Sequence, residues 1–378
     1  MLDNHKNIIS ALALSVVFIS CFIFLQDKPE ATTENKNTLE INKKVAVKKI
    51  KPAYVRAIYL TANSAGSEKY RTNIIAAMKN SRINSVVIDV KDYSGYILYA
   101  SQVEEVKKIK ATKNSLKDVN QILADFHEAG IYVIARQTVF QDPVLAHARP
   151  DLAFKNLQGN IWQDHKNLAW LNPAKQEVWE YNLKIAEELI SLGFDEINFD
   201  YIRYPSDGDM ANLNYAMPEN KTRVQVMSEF YKFLAENLAE KIPISVDMFG
   251  LVMDHTDDEY DLSIGQRLTE AVKYFDFVYP MMYPSHYPLT YLGFTNSAEH
   301  PEPVISYGLK ISQPAIEGSR GKIRPWLQAF DLGATYDQTK INAQIEATES
   351  ATSTAGWALW NARNYYPTYI FSKMPTGQ

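Results

Sequence analysis

From Tyr54 onward the chain alternates short β-branched or aromatic runs with amphipathic stretches, and it does so eight times. That rhythm is the signature of βα units joined into a parallel sheet. The runs predicted as strands are Val55–Thr61, Ser85–Lys91, Tyr132–Val139, Glu196–Tyr201, Ile244–Phe249, Phe277–Met282, Pro325–Phe330 and Trp357–Asn361. Helices are predicted over Tyr70–Ser81, Leu116–Ala129, Pro173–Leu192, Thr222–Lys241, Ile264–Phe275 and Thr339–Ser353. Pro173 suits a first helical turn, and Gly130 and Gly193 suit helix ends. Eight such strands predict a closed (β/α)8 TIM barrel over 53–378. An open doubly wound sheet is the runner-up, weakened because no two glycines have the G-x-G spacing of a dinucleotide site.

Ahead of the barrel, residues 1–25 hold the uncharged apolar run Ile8–Leu25, long enough to cross a bilayer. No small-x-small cleavage site follows it, so an uncleaved membrane anchor is expected, with a lipoprotein reading at Cys21 or a cleaved signal as alternatives. Residues 26–52 are polar and charged and read as a disordered tether. The expected location is the cell membrane, single-pass, with the barrel outside the cytoplasm.

Several classes of function are excluded by composition and motif. A net charge of −5 gives no dense basic face for nucleic acid. The single cysteine rules out an internal disulfide and Cys-rich metal sites. No two histidines stand four apart, and neither a G-x-S-x-G elbow nor a G-x-x-x-x-G-K-[ST] loop is present. Zinc protease, serine esterase and nucleotide-binding chemistry are therefore disfavoured, and no cofactor or metal is expected.

Strands buried on both faces should be continuously apolar, yet several break that rule near their C-terminal ends. Asp89, Arg136, Asp200, Asp247, Gln328 and Asn361 all interrupt in this way. Barrel enzymes place their catalytic groups at those ends. Two long insertions belong to the same face: 141–171, with a small hairpin expected at Gln158-Gly159, and 284–304. Asp200 opens Asp200-Tyr-Ile-Arg203-Tyr-Pro, and Arg203 is expected to keep it ionised as a nucleophile. Asp247 lies one strand over. Inward carboxylates on neighbouring strands would sit about 5 Å apart, the spacing of a retaining glycosidase, with Asp247 as acid/base.

Phe199-Asp-Tyr-Ile-Arg-Tyr-Pro205, together with Ile88-Asp-Val-Lys-Asp92 and Tyr279-Pro-Met-Met-Tyr283, resembles a family of bacterial glycoside hydrolases first catalogued as a domain of unknown function. The resemblance spans roughly Val55 to Tyr369. It implies an exported TIM barrel of glycosidase type with the nucleophile at Asp200. Related barrels often carry a glutamate on the fifth strand, where this chain has Asp247. The expected function is hydrolysis of a cell-envelope or environmental polysaccharide, with Asp89, Asp92, Arg136, Tyr201, Arg203, Tyr283, Gln328 and Trp360 binding substrate or shaping the cleft. A non-catalytic carbohydrate-binding barrel is the alternative.

Overall fold

The computed structural model describes residues 52–372. The barrel strands are β1 Val55–Leu60, β2 Ser85–Lys91, β3 Tyr132–Thr138, β4 Glu196–Asp200, β5 Ile244–Phe249, β6 Phe277–Met282, β7 Trp326–Gln328 and β8 Gly356–Trp360. All pair in parallel, each with its sequence neighbour, and β8 pairs with β1. β7 pairs with both β6 and β8, which closes the ring. The (β/α)8 expectation holds, and each predicted strand is within two residues of its place at either end.

The connecting helices are α1 Glu68–Met78, α2 Val119–Glu128, α3 Gln176–Leu192, α4 Arg223–Leu238, α5 Leu268–Tyr274, α6 Pro301–Ile316 and α7 Gln338–Ser350. Most predicted ends differ by one to four residues, α5 beginning at Leu268 rather than Ile264, and two departures have a visible cause. α3 begins at Gln176 rather than Pro173, because Asn172 Oδ1 takes the Ala174 N–H in a tight turn and Pro173 O takes the Trp179 indole N–H. α6 occupies sequence read as the end of a long loop, where Pro301, Pro303 and Pro314 conceal the helical pattern. Proline is tolerated in a first turn, whose N–H groups have no partner within the helix. Gly193 ends α3 in the left-handed conformation (φ 103°), as its position suggested. The hairpin at Gln158-Gly159 is present, with Lys155 bridged to Ile161 and Trp162 N–H donating to Phe154 O.

Side-chain alternation along each strand sorts the core into two parts. Outward residues such as Ile58, Val86, Val133, Phe199, Val246 and Leu359 pack with the helices in one large cluster. Inward residues Val55, Ala57, Tyr59, Val87, Ile134, Tyr279, Trp326 and Ala358 form a smaller cluster inside the barrel. The β3–β5 side of the interior is polar. On β4, outward Ile197 and Phe199 alternate with Glu196, Asn198 and Asp200, all buried.

That polar interior is layered. Near the N-terminal end, the carboxylate of Glu196 pairs with Arg324 at 2.8 Å and accepts from Ser245 Oγ at 2.7 Å and Tyr279 Oη at 3.2 Å. One layer up, Asn198 Nδ2 donates to Asp247 Oδ1 at 2.9 Å. The mouth layer holds Asp89, Arg136 and Asp200. A bulge at Val90 lets Asp89 pair with Arg136 in register while Lys91 turns outward beside α3. There Lys91 Nζ reaches Asp142 at 2.8 Å and Thr138 O at 2.9 Å, with the pair fully buried.

Among the described residues, no helix is long and apolar enough to cross a membrane. The run Ile8–Leu25 and nearly all of the expected tether lie outside the described residues.

Candidate active site at the barrel mouth

Three carboxylates from three strands converge on one guanidinium. Arg136 Nη1 donates to Asp89 Oδ1 at 2.7 Å, Nε to Asp247 Oδ2 at 3.1 Å, and Nη2 to Asp200 Oδ2. All four side chains are inward members of their strands near the C-terminal ends; Asp89 is in register with Arg136, and Arg136 with Asn198, so Asp200 and Asp247 stand two residues further along β4 and β5. Parallel pairing of neighbouring strands therefore assembles the cluster.

The surroundings of each carboxylate differ. Asp89 Oδ2 accepts the Tyr59 hydroxyl. Asp200 Oδ1 accepts its neighbour's N–H, from Tyr201, at 2.5 Å. Tyr201 has a positive φ of 51°, uncommon for an aromatic residue, which turns the chain sharply out of β4. Asp247 Oδ1 accepts from the Trp326 indole at 2.8 Å as well as from Asn198. Asp89 and Asp200 keep 8% and 6% of their side-chain surface exposed, and Asp247 keeps none.

Burial and the nearby Asp200 carboxylate push the Asp247 carboxyl up to about 7, against the opposing pull of Arg136, Trp326 and Asn198. Burial also raises Asp89, opposed by Arg136 and the Tyr59 hydroxyl. The facing carboxylates outweigh burial at Arg136 and hold it firmly cationic. A cation buried among three carboxylates leaves this cluster short of positive charge by two if all three ionise. Protons held by the raised groups relieve that imbalance.

The expected role of Arg203 needs correction. It makes no ion pair with Asp200. Its guanidinium lies 4.9 Å from the Trp170 ring and 4.8 Å from Phe249, and donates to Tyr204 O and Ser206 Oγ. Arg136, on the neighbouring strand β3, takes the partnership that sequence proximity assigned to Arg203.

Above the cluster is a polar cleft of about 500 Å³. Asp89, Asp92, Arg136, Tyr201, Arg203 and Trp360 all line it, as expected for substrate-facing groups. Gln328 does not. It is wholly buried, with its amide holding Ser285 N–H at 3.1 Å and Phe330 O at 3.0 Å, and so braces two loops. Asn361 does the same through Ala329 O and Tyr365 O. Tyr283 contributes its ring to a second, adjoining cleft.

Sequence reasoning missed Tyr59, Asn198 and Trp326. Tyr59 stacks on Trp360 with ring centroids 3.9 Å apart, and both rings lie over Arg136, at 5.8 and 4.9 Å. Counting back by two from Asp200 would have found Asn198. Nothing local marks Tyr59 or Trp326, which sit in ordinary apolar runs.

With this geometry in view, residues 57–366 match the family described as "Putative glycosyl hydrolase domain". The chain belongs to this family. It is thereby an enzyme domain of glycoside-hydrolase type. Among solved structures, it is similar to the PgaB (BpsB) glycoside hydrolase domain from Bordetella bronchiseptica at 15% identity, covering 82% of this chain and 94% of that one, with a TM-score of 0.59. It is also similar to the endo-1,4-β-D-mannanase from Thermotoga petrophila, at 12% identity over 85% of this chain and 95% of that one, with a TM-score of 0.52. A hypothetical protein from Ruminiclostridium thermocellum is 35% identical over 50% of this chain and 96% of its own, with a TM-score of 0.48. At identities this low, the first two show the shared fold alone. No match was found among curated proteins.

Proposed function

We propose that this hydrolase cleaves a cell-envelope or environmental polysaccharide by a retaining, two-carboxylate mechanism. The observation that carries the reading is the sharing of Arg136, which lines the cleft, by Asp200 and Asp247. Asp200 attacks the anomeric carbon as nucleophile. Asp247, whose carboxyl is pushed up to about 7, delivers the proton to the departing oxygen and later activates water. Arg136 is the group interposed, so substrate must draw its guanidinium aside before Asp247 reaches the glycosidic oxygen.

One observation favours a second assignment of the proton donor. Asp89 is also raised, and unlike Asp247 it keeps surface on the cleft. The two assignments differ in their kinetics. Asp200→Asn should lose several orders of magnitude of turnover on any glycan that the wild type cuts, read as reducing ends from a glycan panel. Whichever of Asp247→Asn and Asp89→Asn retains activity on aryl glycosides with good leaving groups, and is rescued by azide, has lost the acid/base. Wild-type rates in all three variants would show the cluster to be structural.

We further propose that the barrel works outside the cytoplasm, held at the membrane through Ile8–Leu25. The apolar length of that run supports this placement.

A further inference from the structure

The polar cleft does not end at the carboxylates. Trp360 and Ala362 also line a second cleft, of about 650 Å³, over the ends of β6 to β8. Its walls are Tyr283, Phe330, Leu332, Tyr336, Tyr365 and Tyr369. Leu332 and Tyr365 keep 51% and 69% of their surface exposed, although the fold has buried most residues of their kind. Exposed Leu332 and Tyr365 beside the half-buried rings of Phe330 and Tyr369 form an apolar surface that adjoins the catalytic cleft.

Two buried hydroxyls give the row a polar demand. Tyr283 and Tyr336 are 6% and 5% exposed, both line the cleft, and neither Oη has a hydrogen-bond partner. Buried hydroxyls are nearly always paired, and because both oxygens are closed off as the cleft stands, a ligand reaches them only when the rings turn towards it. Asp331 and Arg363 stand at the rim.

Apolar ring faces beside unpaired hydroxyls match the chemistry of a pyranose, which offers C–H faces for stacking and hydroxyls around its edge. We propose that the second cleft holds further units of the same linear glycan that is cut at the carboxylates, so that the enzyme cleaves within chains rather than releasing terminal sugars. This rests on the glycosidase reading above, but it concerns the extent of the bound chain and not the chemistry.

The test titrates the full chain carrying Asp200→Asn, by calorimetry, with linear cello-, chito- and manno-oligosaccharides from disaccharide to hexasaccharide. At least one series should bind more tightly as it lengthens. Adding Tyr365→Ala should reduce affinity for the longest members by up to about tenfold and leave the disaccharide unchanged. Adding Tyr336→Phe, which removes only the hydroxyl, should act in the same direction. In parallel, the wild type should release a spread of oligosaccharides from the corresponding polysaccharide at early times. Affinity independent of length, equal losses at every length, or no binding by any series would overturn the inference. So would early release of terminal sugars alone, which would leave the hydrolytic mechanism intact. Length-dependent binding without any cleavage by the wild type would keep the inference and reject the mechanism.

Discussion

Asp247 shows how one side chain can be unfavourable for stability and useful for chemistry. Its carboxyl is fully enclosed and held near 7, whereas an unfolded aspartate titrates near 4. The folded state therefore binds this proton more tightly than the unfolded chain does. Its contribution to stability is fully present below about pH 4 and is lost as pH rises towards about 7. Asp247→Asn removes that loss while keeping the volume and the Trp326 and Asn198 neighbours. Urea titrations at a series of pH values should show the variant gaining on the wild type across the window from about pH 4 to about pH 7, with the gap level above it. A constant gap across that window would mean that Asp247 stays ionised in the fold, and the assignment of a proton donor would pass to Asp89.

At the scale of elements, the loop after β2 is fixed by a contact that no local pattern foretells. Lys91 is turned outward by the bulge at Val90 and meets Asp142, whose Oδ1 also caps Leu145 N–H at the start of the Pro143–Ala148 helix. Gly95 closes over this pair with a φ of 82°, and a Cβ there would stand 2.4 Å from Asp142 Oδ1. Gly95→Ala should thus combine backbone strain with displacement of a buried carboxylate. A loss of about 2–4 kcal/mol in chemical denaturation is expected. Because Asp92 and Tyr93 line the cleft in the same loop, activity should fall by more than the folded fraction does. A stability change under about 0.5 kcal/mol would mean that the loop adjusts freely and the Lys91–Asp142 pair does not pin it.

For the whole molecule, the eight strands close into a ring between Val55 and Trp360. The proposed placement predicts that a cysteine introduced at Thr33, in a chain also carrying Cys21→Ala, reacts with a membrane-impermeant thiol reagent on intact cells. Labelling only after lysis would reject it. Retention of the Cys21→Ala chain in the membrane fraction is also expected, since a lipoprotein would lose its anchor with that thiol.

The eight strands, the closed barrel and the strand-end placement of Asp89, Arg136, Asp200 and Asp247 were legible in the sequence. They depend on local periodicity, and a period of two tells which side of a sheet each residue faces. The helix at Pro301–Ile316 was not legible, because its prolines look like breaks until their place in the helix is known. Nor was the identity of the partner for Asp200. Sequence proximity pointed to Arg203, three residues on, yet that side chain turns away to stack on Trp170 and Phe249. Arg136, on β3, is in register with Asn198, and its long side chain reaches two residues further along β4 to Asp200. Pairing across a barrel depends on strand register and on how far each inward side chain reaches, and only the assembled sheet sets both. The same holds for Tyr59 and Trp326, ordinary apolar positions until closure brings β1 and β7 to the carboxylates.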